Sequence, residues 1–271
     1  MRQGSRVVTM SAALALLAGT AGAQGAKPLK KCAPDAVVSG TVCMDKYESS
    51  VWRVPIPLLA NKGLVKKIQQ GKATVADLTK GGATQLGVAT DDYAPCSDSG
   101  QNCLDDIYAL SLPGVIPSSR LTWFQALAAC ENSAKRLPSN AEWQAAVTGT
   151  PDPGPDNGTS DCNTDSGDVA TLSGSRAACV STRGAFDMVG NLYEWVADWV
   201  PPSTDCRTWT AEVSPTGDFQ CLTGGATAGD PGVLLRGGSF HDGGSIAGPL
   251  AVDGGIAPSQ DLNFIGFRCA R

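Results

Sequence analysis

Residues 184–199 read Gly184-Ala185-Phe186-Asp187-Met188-Val189-Gly190-Asn191-Leu192-Tyr193-Glu194-Trp195-Val196-Ala197-Asp198-Trp199. Apolar side chains, oxygen ligands and aromatics share the stretch, and Gly190-Asn191 stands at its centre. Helices rarely carry Gly-Asn in mid-run, because glycine costs about 1 kcal/mol there and asparagine competes for backbone hydrogen bonds. Strands seldom set Trp195 and Trp199 beside Glu194 and Asp198. The expectation is a buried, irregular loop held by something other than a regular ladder, with both tryptophans in the core.

Working outward, the chain opens Met1-Arg2-Gln3-Gly4-Ser5-Arg6 and then runs apolar from Val7 to Gly22, ending in Ala21-Gly22-Ala23. A basic start, a short apolar run and a small-residue site predict a secretory signal over residues 1–23. The protein is therefore expected to be exported, periplasmic or secreted. An uncleaved N-terminal anchor is the competing reading. The run is too short and too rich in alanine and glycine for a spanning helix. No cysteine follows the cleavage point to carry a lipid, and membrane insertion is not expected.

The 271 residues include 32 glycines and 17 prolines, and only 17% are charged, which predicts a loop-rich chain. A 42% hydrophobic content excludes disorder. The net charge of −5 becomes more negative once Arg2 and Arg6 leave with the signal. That balance argues against nucleic acid as a partner and against anionic-membrane binding as the main task.

Ten cysteines follow the signal. In an exported chain they predict disulfides. Zinc is disfavoured, because no Cys-x-x-Cys occurs and His241 is the single histidine. Spacing does not settle connectivity. It suggests neighbour pairs Cys32/Cys43, Cys96/Cys103, Cys162/Cys179 and Cys206/Cys221, which leaves Cys130 and Cys269. Each short pair is expected to pin an irregular loop.

The segment Met44-Asp45-Lys46-Tyr47-Glu48 reads as a strand. Residues 57–90 read as a surface insertion with a short helix on Leu64, Val65 and Ile68, and residues 91–117 as a Cys-stapled loop region. Thr122 with Gln125 and Ser139 with Glu142 fit capping boxes. They start one helix running to about Ser133, burying Phe124, Leu127 and Ala128, and another from Asn140 to about Val147, burying Trp143. Residues 149–182, with Cys162 and Cys179, read as loop. Val233 to Phe240 is a strand entering a turn, residues 241–263 a Gly/Pro-rich excursion, and Phe264 to Cys269 a closing strand.

Four segments in this order resemble one family. They are Lys135-Arg136-Leu137-Pro138 through Trp143, Asp187-Met188-Val189-Gly190-Asn191 through Trp195, Arg236-Gly237-Gly238-Ser239-Phe240, and Gly266-Phe267-Arg268-Cys269. They resemble the formylglycine-generating enzyme, or sulfatase-modifying factor, family. The resemblance implies an α+β, C-type-lectin-like fold: loop-rich, with small twisted antiparallel sheets, two main helices and several disulfides. It places the domain at residues 38–271, after a linker at 24–37 and with a family-atypical insertion at 57–117. It also implies a bridge between Cys130 and Cys269.

By the same resemblance, the opening stretch would bind a structural calcium through the side chains of Asp187 and Glu194 and the carbonyls of Gly190 and Leu192. Calcium takes 6–8 oxygens and tolerates irregular geometry. The competing reading is that the two carboxylates cap loop amides. A second family calcium site would fall near Asn163, where the loop departs too far for transfer.

The namesake enzymes hold copper(I) on two cysteine thiolates. Counted from Phe240, those positions fall on Asp242 and Ala247, and no cysteine lies between Cys221 and Cys269. Neither copper nor formylglycine production is expected, and no catalytic residue is assigned. His241 and Asp242 mark a possible ligand cleft, and their bland alternative is a polar turn at its edge. The fixed start and end around residues 241–263 loosely resemble receptor-type lectin folds diversified by retroelements.

Three functions follow as expectations. The first is an exported, monomeric module that binds a protein, peptide or glycan. The second is an oxidoreductase with an altered active site, similar to periplasmic maturation-type members. The third is a structural cell-envelope protein.

Overall fold

In the computed structural model, residues 29, 31–103, 106–152, 154–167, 169–200, 220–221 and 231–271 are described. The predicted signal and the Cys206/Cys221 pair lie outside the residues whose side chains are described. The architecture is α+β, with four disulfides among the described residues.

Strands β1 (Ala36–Ser39) and β2 (Val42–Asp45) form an antiparallel hairpin. Strand β3 (Ser49–Arg53) is the centre of a three-stranded sheet, between β4 (Thr84–Leu86) and β5 (Ile107–Ser111). Between β3 and β4 run two helices, α1 (Lys62–Gln69) and α2 (Val75–Lys80). The period-2 geometry of the sheet gives it two apolar faces. Val51 and Ala109 face the main core, while Trp52 pairs across the strands with Tyr108 under α1 and α2. Leu64, Val65 and Ile68 of α1 and Leu78 of α2 bury there. Residues 57–117 thus hold a sheet edge, two helices and the Cys96–Cys103 bridge, and they are built into the core rather than laid on it. Helix α2 has a Thr74/Asp77 capping box that a search for Glu or Gln at that position passes over.

The two capped helices form where Thr122 and Ser139 start them. Helix α3 is Trp123–Asn132 and α4 is Asn140–Ala146, each with both reciprocal cap bonds. Such a cap is worth about 1 kcal/mol. Helix α3 buries Gln125, Ala126, Ala129 and Cys130, not the predicted face of Phe124, Leu127 and Ala128. Small side chains let it lie close against β5, and the larger residues turn outward to half-buried positions. Helix α4 buries Trp143 completely, as its periodicity predicts.

The five-stranded sheet runs β10 (Ile265–Phe267), β6 (Tyr193–Val200), β8 (Gly232–Arg236), β9 (Val252–Ile256), β7 (Gln220–Cys221). Its β6–β8 and β8–β9 ladders are antiparallel, and its outer pairs, β10 with β6 and β7 with β9, are parallel. Three sequence expectations are corrected here. Residues 193–200 form a central strand with a register shift between Trp195 and Trp199, so a ladder holds the second half of the opening stretch. Its alternation is hidden because residues 193–196 are buried on both faces. Trp195 is core, but Trp199 is 41% exposed and sits edge-on to Trp123, beyond a register shift in the β6–β8 ladder. The excursion at 241–263 contains β9, whose Gly254 and Gly255 conceal its strand character.

The Cys162/Cys179 pairing holds, and the bridge lies deep in the core. Cys162 and Cys179 are bonded to each other, as their spacing suggests. The bridge pins the 162–179 loop to the core. Both half-cystines are fully buried and pack in one core cluster with Trp143, Met188 and Val189. The Cys179 carbonyl accepts from Asp187 N at 3.0 Å, and the next residue, Val180, makes an antiparallel bridge with Phe186. The physical reason is that a disulfide is an apolar group, and here it fills core space that the loop backbone leaves open. Cys179 therefore holds the Asp187 turn from beneath and presents nothing to a ligand.

The domain also begins earlier than residue 38. Ala36 and Val37 pair with Asp45 and Met44, Cys32 is bonded to Cys43, and Asp35 is ion-paired with Lys135 and Arg271. The end of the predicted linker therefore belongs to the fold. Cys130 of α3 is bonded to Cys269 across 139 residues, tying the chain end to the first capped helix.

Candidate functional site

The turn before β6 is where the site is built. Asp187, Gly190 and Asn191 all take left-handed φ values of 55°, 69° and 61°. Glycine and asparagine reach that region at low cost. A Cβ on Gly190 would come within 2.4 Å of the Asn163 carbonyl oxygen, so a side chain is excluded there.

Asn191 is the hub. Its Nδ2 donates to the Glu48 carboxylate, and its Oδ1 accepts from Asn163 Nδ2 (2.9 Å) and Thr171 N (2.8 Å). Its carbonyl accepts from Phe240 N (3.0 Å). Glu48 also accepts from Leu192 N at 2.9 Å. One asparagine thus joins the segment after β2, the 163–171 loop and the start of the Phe240 loop. Sequence reasoning passed over Glu48, although its spacing from Asp45 puts a second acid in a stretch already read as a strand.

Four ionisable groups, Glu48, Asp187, Glu194 and Arg268, meet below this turn. Arg268 Nε contacts both oxygens of Glu194 (2.9 and 2.7 Å), and Trp143 Nε1 donates to Glu194 Oε2 (2.6 Å). Arg268 also donates to the carbonyls of Asp45 and Phe186. Asp187 accepts from Gly174 N at 2.6 Å. Burial, then repulsion from Asp187 and Glu194, pushes the Glu48 carboxyl well above the usual range. Burial also raises the Asp187 carboxyl to about 7. Three buried carboxylates face one guanidinium. A second buried network sits nearby. Lys135 Nζ lies 2.8 Å from Asp45 and 2.9 Å from Asp35. Burial raises Asp45, and it acts on Asp35 too, but there Lys135 and Arg271 outweigh it and hold the carboxyl low.

For calcium, the surplus of buried carboxylate and the oxygen-only chemistry of Asp187, Gly190 and Leu192 fit the ion. Glu194 fits less well, because its two oxygens already accept four hydrogen bonds, about the full capacity of a carboxylate. Among the described residues no three His, Cys, Asp or Glu side chains converge as a metal set.

The positions counted from Phe240 do not fit copper(I). Asp242 Oδ2 accepts from Ser239 N (2.8 Å) and Oγ (2.6 Å), closing a turn. Ala247 is buried against Gly238, where an added Cβ would lie 2.4 Å from Ala247 Cα. A hard carboxylate and a methyl group offer nothing to a soft ion that prefers thiolates.

Beside them opens a cavity of about 380 Å³. Val88, Ile116, Pro117, Val169 and Phe240 supply apolar wall, and Ser119, Arg120 and Asn263 supply polar groups. Arg120 is half-buried, has φ 57°, and has no ion-pair partner among the described residues. Neither His241 nor Asp242 lines the cavity. His241 packs tilted against the lining residue Phe240, with ring centroids 4.2 Å apart, so it flanks the rim.

Residues 96–271 match the family model described as the sulfatase-modifying factor enzyme 1-like domain. The chain belongs to this family. The matched stretch starts at Cys96, yet Met44 and Val51 before it share cores with the sulfatase-modifying factor domain. A formylglycine-generating enzyme of Streptomyces coelicolor is 29% identical over 179 residues, covering 57% of this chain and 52% of that enzyme. The chain therefore spans about half the length of this curated relative. Among solved structures, a Major Tropism Determinant U1 variant has a TM-score of 0.45 at 18% identity, covering 91% of this chain and 55% of that one. CarF has a TM-score of 0.43 at 17% identity, covering 85% and 86%.

Proposed function

We propose that this sulfatase-modifying factor domain is an exported ligand-binding module without formylglycine-generating activity. One observation carries the proposal. Where the namesake enzymes place their thiolates this chain has Asp242 and Ala247, while a cavity whose Arg120 has no ion-pair partner among the described residues remains open beside Phe240. Four disulfides among the described residues are compatible with an oxidising compartment. No helix among the described residues is long and apolar enough to cross a membrane.

The ligand chemistry that suits the cavity is a peptide or glycan segment with an apolar portion and an acidic group for Arg120. Peptide and glycan arrays probed with the purified, disulfide-intact protein and with Arg120→Gln test it. A bound set that weakens at least tenfold in the variant supports the module. Aldehyde formation on a sulfatase-motif peptide by copper-treated protein overturns it in favour of an oxidoreductase.

We further propose a structural calcium at the 187–194 turn, held by Asp187 with the carbonyls of Gly190 and Leu192. The ion relieves repulsion among Glu48, Asp187 and Glu194. To take part, Glu194 has to give up a hydrogen bond from Trp143 or Arg268. Elemental analysis of the purified protein decides whether calcium is retained.

A further inference from the structure

Three large aliphatic side chains stand in solvent within four positions. Ile56 is 61% exposed, Leu58 62% and Leu59 82%. Single exposed aliphatics are ordinary, but a contiguous group marks an interaction surface.

This tip is held in place. Ile56 takes φ 46° between Pro55 and Pro57, a strained value for a β-branched residue. Its carbonyl accepts from Leu59 N (3.3 Å) and Asn61 N (3.2 Å). Asn61 Nδ2 donates to the carbonyls of Pro55 (2.6 Å) and Gly81 (3.0 Å), which ties the tip to the end of α2. Backbone strain is thus spent on presenting apolar side chains to water.

The segment that carries the tip opposes the chain in charge, and Asp106, the acid lining the groove beside Ile56, Leu58 and Leu59, is paired with Arg53. Residues 55–81 hold five lysines and a single acid, Asp77, in a protein of net charge −5. Asp77 is paired with Lys67 at 2.5 Å and caps α2. Lys62 follows the tip directly, Lys66 lies one turn along α1, and Lys80 precedes Gly81. All three are exposed and have no acidic partner among the described residues.

We propose that this tip docks reversibly on an anionic lipid surface. Leu58, Leu59 and Ile56 enter the headgroup–acyl boundary, and Lys62, Lys66 and Lys80 meet lipid phosphates. An apolar wedge followed in the chain by exposed lysines without acidic partners is the chemistry of interfacial anchoring. A protein partner is less favoured, since the tip lacks the Trp, Tyr and Arg that dominate protein hot spots. Docking here is peripheral and separate from the cavity at Phe240.

The test is co-sedimentation of the purified, disulfide-intact protein with vesicles of phosphatidylcholine, with and without phosphatidylglycerol. Binding is expected only when phosphatidylglycerol is present, and raised salt should weaken it. At about 1 kcal/mol per lysine, Lys62→Ala with Lys66→Ala should weaken it by roughly 30-fold. Leu58→Ser with Leu59→Ser should lower binding at least tenfold while the melting temperature stays unchanged. Absence of binding to the anionic vesicles, or equal binding by either double variant, overturns the proposal. So does loss of a dimer in sedimentation of the leucine variant, which would give the tip to a second copy of the chain.

Discussion

Glu194 and Arg268 are a fully buried ion pair joining β6 to the end of β10, and both Glu194 oxygens lie within 2.9 Å of the guanidinium. Removing one partner strands the other charge. Arg268→Ala is expected to cost about 3–5 kcal/mol, read as a lower urea midpoint at unchanged slope. The double variant Glu194→Met with Arg268→Met should lose less than Arg268→Ala alone, because the Glu194 carboxylate is no longer left without its cation. Equal losses would show that packing around the arginine, not its charge, sets the cost.

The pH dependence of the metal-free protein follows from Asp187. Burial raises its carboxyl to about 7 from the ordinary 3.8. Between those values the folded protein keeps a proton that the unfolded chain has released. Stability therefore falls as pH rises from about 4 through about 7, and Glu48 acts in the same direction. In chelator, the melting temperature should drop across that window, and Asp187→Asn should flatten the drop. Calcium should restore more stability at pH 8 than at pH 5, because its ligands must be deprotonated. A pH-independent melting temperature in chelator would remove this account of Asp187.

Cys130 and Cys269 close the longest loop among the described bridges. On loop entropy, replacing both by serine should cost about 4–5 kcal/mol, against about 3 for the 11-residue Cys32–Cys43 loop. Urea titrations of the two double variants compare them directly. A larger loss from the Cys32–Cys43 pair would show that strain or packing outweighs chain entropy here.

Gly238 has φ 82°, and its Cα faces the Ala247 backbone. Gly238→Ala combines left-handed strain with a steric clash and should cost about 3 kcal/mol. The affected loop lies beside Phe240, so array binding should fall together with the urea midpoint. Unchanged stability would mean that the 247 segment can move away freely.

Local signals were legible wherever a short run carries its own instruction. Thr122 with Gln125 and Ser139 with Glu142 start α3 and α4, and Leu64, Val65 and Ile68 mark α1. Signals failed where partners remote in sequence decide burial. Residues 193–196 look irregular because β8 and β10 flank the strand and both its faces are covered. The inner face of α3 is Ala126, Ala129 and Cys130 because β5, invisible in a stretch read as loop, demands a close approach. Spacing paired Cys179 with Cys162, but only the packing of Trp143 and Met188 around them makes that bridge part of the core.

By itself, the sequence determined the family, the capped helices and the loss of thiol donors after Phe240, since these depend on residue type, order and short spacing. The tertiary structure alone decided what Glu194 does. Its carboxylate meets Arg268, 74 residues away, in a fully buried site where an unpaired charge is too costly to remain. It also decided that Ile56, Leu58 and Leu59 stay in solvent. Composition cannot show which aliphatic residues a finished core leaves uncovered.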